Sequence, residues 1–274
     1  MIPVYCITLT SEPKRLEHVL EQRGLWGEGT FEVVDAVDGR QHVVPEHAGG
    51  ATMWPVERVR ARAARLGMTE EMNEPGKACT KGHVLLAQQH VDAIEAGRMS
   101  EADYYCALED DFAWSNPSAL KAFFDRVEAG DAQEYDVIYL GYRGGERRHV
   151  KAPIHRVWHR IKSQLRTDPD AAALEWNEAQ RWPGRPKGPL GLQAAGRHLG
   201  AHGYLMNGRG ARALIEVGSS LGLPADHTLR LVQAYDLARF AITPEKFVIT
   251  RPELGSTIRS EEEFLRAAKR FPTT

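Results

Sequence analysis

The chain has 274 residues, 42% of them hydrophobic and 26% charged, and carries a formal charge of −2 at neutral pH. That length can bury a sizeable core in one α/β domain, and the composition excludes the disordered and fibrous classes. With so small a net charge, affinity for nucleic acid or anionic lipid has to come from local clusters of basic residues.

The chain opens on IPVYCITL, a short β-rich apolar run. Ser11 and Pro13 follow, then Leu16, Val19 and Leu20 at helical spacing, so strand, turn and helix are expected. This opening lacks a charged n-region and a small-residue cleavage site. No apolar run approaches the roughly 18–20 residues that span a bilayer, and a cytoplasmic protein is expected. Cys6, Cys79 and Cys106 include no Cys-x-x-Cys pair and fit free thiols in a reducing compartment.

FEVVDAVDG repeats the strand signal and ends on the turn pair Asp38-Gly39. In GKACTKGHVLLAQQHVDAIEAG a loop is expected to lead into a helix carrying Val84, Leu85, Ala87, Val91 and Ile94. His83 would open that helix after Gly82, where free N–H groups can meet a phosphate. DYYCAL and YDVIYLG read as two more buried strands with the helix PSALKAFFDRVEAG between them. Alternating β and α elements predict a Rossmann-like, mostly parallel sheet flanked by helices, with ligands bound beyond the carboxyl ends of its strands.

Composition changes after Gly141. Between Arg143 and Arg166 eight Lys and Arg residues face one acid, Glu146, and RWPGRPKGPLG follows. An irregular basic insertion or lid over about 143–196 is expected within a single domain, 1–274. Inside it Ile154, Trp158, Ile161 and Leu165 recur every three or four residues among Arg156, Arg160, Lys162 and Arg166, an amphipathic basic helix. Three readings are open for it: a helix packed on the domain with its charges solvated, a peripheral membrane patch, or a groove for a phosphate-rich acceptor, nucleic acid included. Trp158, Trp176 and Trp182 can stack on sugar rings or bases, or fill core. His155 and His159 have a zinc-compatible spacing but no neighbouring Cys or acid in sequence. LGAHGYLMNGRGARALIEVG then gives strand, turn and helix, and FVITRPELGSTI and a charged helix close the chain.

In YYCALEDDFAW three carboxylates, Glu109, Asp110 and Asp111, crowd the end of a buried strand. On an extended chain Glu109 and Asp111 share a face and Asp110 takes the other. Such charges repel one another and lose hydration, and a hard divalent cation relieves both penalties. A solvated loop or helix cap is the other reading.

These stretches form a wider pattern. VYCITLTSEPKRLEHV, FEVVDAVDGR, GKACTKGH, CALEDDF, YDVIYLG, GAHGYLMNGRGARAL, PAD at 224–226 and ELGSTI occur in an order and spacing that resemble glycosyltransferase family 25, the group of bacterial lipopolysaccharide glycosyltransferases and procollagen galactosyltransferases. Ala78 stands where the family has a second Gly, and Gly82 where it has Ser. The resemblance implies a GT-A-like fold and an inverting transfer of galactose or glucose from a UDP-sugar to a hydroxyl acceptor, a lipid-linked or other glycan. Mn²⁺ or Mg²⁺ would sit on Glu109 and Asp111. Thr8, Leu9, Arg15, Asp38, Gly39, Lys77, His83, Glu109 and Asp110 would surround the donor. The acceptor proton would go to a base, with Asp226 the first choice and His202 and Asp110 behind it. His202 is flanked by Gly200 and Gly203, which would let a ligand approach the backbone. A hydroxylated DNA base as acceptor and a non-catalytic glycan-binding module are the alternative readings.

Overall fold

A computed structural model of the chain describes residues 1–27, 29–40, 53–68, 72–143, 152–181, 183–198, 200–251 and 254. The strands β1 (Val4–Thr8), β2 (Phe31–Asp35) and β3 (Tyr105–Glu109) pair in parallel, with β1 central. Between β1 and β2 lies α1 (Pro13–Trp26). Before β3 come α2 (Val56–Arg65) and α3 (Glu74–Glu95). Next to β3, β8 (Gly203–Met206) runs antiparallel and also pairs with β5 (Val137–Tyr139). The sheet continues through β9 (Phe240–Ile242), β7 (Leu192–Ala194) and β6 (Pro186–Lys187), in the order β2-β1-β3-β8-β5-β9-β7-β6. β8 and β7 run against the other strands, which share one direction.

The period of two along each strand divides the core into two layers. Tyr105 and Ala107 join one cluster with Leu86 and Val91 of α3. Leu214 and Val217 of α7 (Gly208–Gly218) and Leu229 and Val232 of α8 (Ala225–Ala234) complete it. Cys106 and Leu108 face the other cluster, with Val4, Cys6, Val19 of α1 and Leu120 and Phe124 of α4 (Pro117–Arg126). This is the expected mixed α/β sheet covered on both faces. A two-stranded antiparallel ribbon of β4 (Phe112–Trp114) and β10 (Val248–Thr250) lies beyond the end of β3.

Three expectations change. The helix α3 starts at Glu74, because Asn73 caps it by accepting from Gly76 N at 2.8 Å and Pro75 occupies its first turn. His83 therefore lies inside the helix and not at its opening, and the phosphate reading of its N–H is withdrawn. Gly82 is accommodated there because a Cβ would stand 2.9 Å from Ile7 Cγ2, so the glycine lets α3 lie against β1. The insertion is not irregular. It forms a hairpin of α5 (Ala152–Leu165) and α6 (Pro169–Ala179), and then β6 and β7, which extend the main sheet. Trp182 and, apart from Leu254, the ELGSTI stretch and final helix lie outside the described residues. Among those described, no helix is long and apolar enough to cross a membrane.

Candidate active site

The parallel strands β1 and β3 end side by side, Ile7 opposite Glu109. The strand β3 stops at Glu109, and Asp110-Asp111 forms the turn into β4. The turn is held by Arg251 N donating to Asp111 O at 2.7 Å, while Phe112 O contacts His18 Nε2 at 2.5 Å. Neighbouring side chains at the strand end point to opposite layers. Glu109 turns to α3 and Asp110 to α1.

Glu109 Oε1 meets two groups that stand four residues apart on α3, His83 Nε2 at 3.3 Å and Cys79 Sγ at 3.6 Å. The His83 ring is buried and stacked on Tyr204, whose hydroxyl lies 2.9 Å from Nδ1. Burial raises the Glu109 pKa, but the His83 hydrogen bond, the charges of His83 and His202, and the Cys79 contact outweigh it and hold the carboxyl below its ordinary value. Asp110 is buried and ion-paired with Arg15, itself buried on α1, and it accepts from Thr8 Oγ1 at 3.0 Å. This carboxylate locks α1 to the ends of β1 and β3.

Asp111 is different. Its Oδ1 is buried and has no hydrogen-bond partner among the described residues. Burial, and then the charges of Glu109 and Asp110, push its pKa up to about 7 against the pull of Arg15 and Arg143. An orphaned buried carboxylate oxygen that feels the charges of Glu109 and Asp110 is a group that a cation would satisfy, although Asp111 lies outside the close cluster of Cys79, His83 and Glu109. Cys79, His83 and Glu109 can bring one ligand atom each within 4.8 Å of one another, which adds nitrogen and sulfur donors on the α3 side.

The other expected residues lie around this centre. Asp38 and Gly39 are buried after β2, with Asp38 accepting from Arg40 N at 3.0 Å, Nε at 2.9 Å and a terminal nitrogen at 2.8 Å. Leu9 is half-buried in the turn after β1, where its carbonyl accepts from Glu12 N. Lys77 bonds Glu74 at 2.7 Å in the first turn of α3. Asp226 was expected beyond the helix that is now α7; it stands half-buried in the first turn of a further helix, α8, and its charge reaches Cys79. His202 is buried, and its carbonyl accepts from Glu109 N at 3.3 Å. Burial, aided by Arg143 and Lys246, lowers its pKa to about 4 despite Glu109. The glycines beside it serve the protein's own backbone. A Cβ on Gly200 would come within 2.8 Å of Gly141 O, and one on Gly203 within 2.9 Å of Val248 Cγ1.

Cys79, Tyr204 and Arg40 were missed as contributors. For Cys79 the signal was present, a spacing of four from His83 on one helix. Tyr204 and Arg40 had none, since a buried tyrosine in a strand and an arginine after a turn are ordinary features.

A family model described as Glycosyltransferase family 25 (LPS biosynthesis protein) matches residues 1–229. No curated protein matches the chain. The family match spans most of the sequence, so the chain belongs to glycosyltransferase family 25 and is an enzyme of that class. The reading as a non-catalytic binding module falls with it. A glycosyltransferase implies a nucleotide-sugar donor and a glycan acceptor, and nothing supports a nucleic-acid acceptor.

Proposed function

We propose that this family 25 glycosyltransferase moves a hexose, galactose or glucose, from a UDP-sugar to a hydroxyl of a lipopolysaccharide-type glycan, in one inverting displacement that needs a divalent cation. The observation that carries the reading is the buried Oδ1 of Asp111, without a partner among the described residues and under the charge of Glu109 at the mouth of the sheet. Glu109 and Asp111 would hold the cation, Mn²⁺ or Mg²⁺, both of which take carboxylate oxygens, while burial keeps the neighbouring Cys79 a neutral thiol. When bound, the cation would offset the negative charge that grows on a departing nucleoside diphosphate.

The chain's own residues divide the remaining tasks. Asp110, committed to Arg15 and Thr8, fixes the turn that presents Asp111. Asp226, on the first turn of α8, takes the proton of the acceptor hydroxyl. His202 suits that task less well, because burial disfavours its protonated form. Arg40, tied to Asp38 and to Glu12 at 2.6 Å, holds the loop expected to meet the nucleoside ribose.

Thermal unfolding with UDP, GDP and CMP, each with Mn²⁺ or Mg²⁺, tests the reading, since a ligand of the folded state raises its stability. UDP with Mn²⁺ should give the largest rise, and Asp111→Ala should remove it. A wild-type protein indifferent to every nucleotide and metal combination would sink the proposal.

A further inference from the structure

The hairpin of α5 and α6 reverses the usual orientation of an amphipathic helix. Ile154, Val157, Trp158, Ile161 and Leu165 recur at spacings that gather them on one stripe of α5. Each of the five is between 46% and 77% exposed. The opposite, polar side is the one that packs. His159 Nδ1 lies 2.7 Å from Glu175 Oε2, Ser163 Oγ donates to Ala172 O at 2.9 Å, and the Arg156 and Arg160 guanidinium groups stand 5.9 and 5.7 Å from the Trp176 ring. Trp176 in turn donates to Gln233 O of α8 at 3.1 Å, which ties the hairpin to the domain. The first of the three readings therefore holds only for the polar side of the helix, since its apolar face covers nothing among the described residues. A contiguous apolar stripe left in water marks an interaction surface.

We propose that this stripe docks the protein on an anionic phospholipid surface. Charge selects the occupant. The helix α5 carries no acid, Lys162 flanks the stripe and Arg160 is exposed further round, whereas Arg156 packs toward Trp176 and Arg166, after the helix, bonds Glu175 at 3.2 Å. The Lys162 ammonium stands 5.1 Å from the Trp158 ring, at the border of the stripe. Two copies joined stripe to stripe would bring these cations together. An anionic bilayer instead takes the tryptophan and aliphatic side chains at its acyl boundary and the basic groups among its headgroups. With 14 residues the helix is about 21 Å long, too short to cross a bilayer core of about 30 Å and suited to lying in its plane.

Co-sedimentation of the full chain with phosphatidylcholine vesicles, with and without phosphatidylglycerol, tests the docking. Binding should require phosphatidylglycerol and weaken as salt is added. Trp158→Glu and Ile161→Glu should each reduce it at least about tenfold with unchanged unfolding temperature, while Trp158→Phe should retain it. Lys162→Glu should weaken binding to anionic vesicles. Failure of the wild type to sediment with them, or equal sedimentation of Trp158→Glu, overturns the proposal. A wild-type dimer that Trp158→Glu splits, with vesicles having no effect, also overturns it and gives the stripe to a second copy. None of these outcomes touches the donor site, whose response to nucleotide and metal is read separately.

Discussion

The turn at the end of β3 and the α5 hairpin both depart from ordinary burial, in opposite senses. At the turn three carboxylates are at least half-buried, and one of them has no donor among the described residues for a buried oxygen. On the hairpin five large apolar side chains are left in water while the polar face of the same helix packs. Each arrangement is incomplete on its own, and what is missing differs in kind. A stranded carboxylate oxygen calls for a cation, and a bare apolar stripe with basic edges calls for a lipid surface. Within the turn the contrast repeats, because Asp110 is satisfied by Arg15 and Thr8 and its neighbour Asp111 is not.

Substitutions at the two neighbours should separate these roles, and the largest stability effect belongs to Asp110. Asp110→Ala takes the carboxylate away from the buried Arg15 and should destabilise the protein by about 3–5 kcal/mol in denaturant unfolding. If the loss were under about 1 kcal/mol, the locking role of the pair would be refuted. Asp111→Ala should instead leave the fold intact and lower kcat by about 10²–10³-fold, with loss of the Mn²⁺-dependent thermal shift. Wild-type turnover by that variant would remove Asp111 from the site.

The sign of the third effect is opposite to that of Asp110→Ala. The Asp111 pKa is about 7 in the folded protein, above the ordinary value of about 3.9 in the unfolded chain. The group thus favours folding while protonated in both states, and that contribution is lost as pH rises from about 4 to 7. Asp111→Asn should therefore stabilise the metal-free protein by an amount that grows across that window and levels off above it, on the order of 2 kcal/mol. A flat difference between variant and wild type from pH 4 to 8 would contradict the shift. The smallest effect is expected on the hairpin, where Trp158→Glu should change stability by no more than about 0.5 kcal/mol, because the ring packs against little. A loss above about 2 kcal/mol in thermal or denaturant unfolding would mean that the stripe is covered within the protein.

Much of the sheet was legible in the sequence, for a local reason. The apolar, β-rich runs IPVYCITL, DYYCAL and YDVIYLG and the spacing of Val84, Ala87 and Val91 are set by near neighbours in the chain, and these became β1, β3, β5 and α3. The carboxylate cluster was likewise visible as a run. The helix α8 was not, because it has only ten residues and buries Arg230 and Gln233 along with Leu229, Leu231 and Val232, so its polar positions do not mark a solvent face. The three-residue β9 and β4 were too short to stand out from their surroundings.

By itself the sequence determined the layered α/β class, the family and the place where negative charge gathers at the mouth of the sheet. Only the tertiary structure decided which carboxylate is paired and which is stranded, since Asp110 meets Arg15 across 95 positions of chain. It also decided that the apolar side of α5 faces outward. The amphipathic pattern of α5 was plain in the sequence, but a helical period says only that one face differs from the other. Which face packs depends on partners such as Glu175 and Trp176, and folding alone brings these against it.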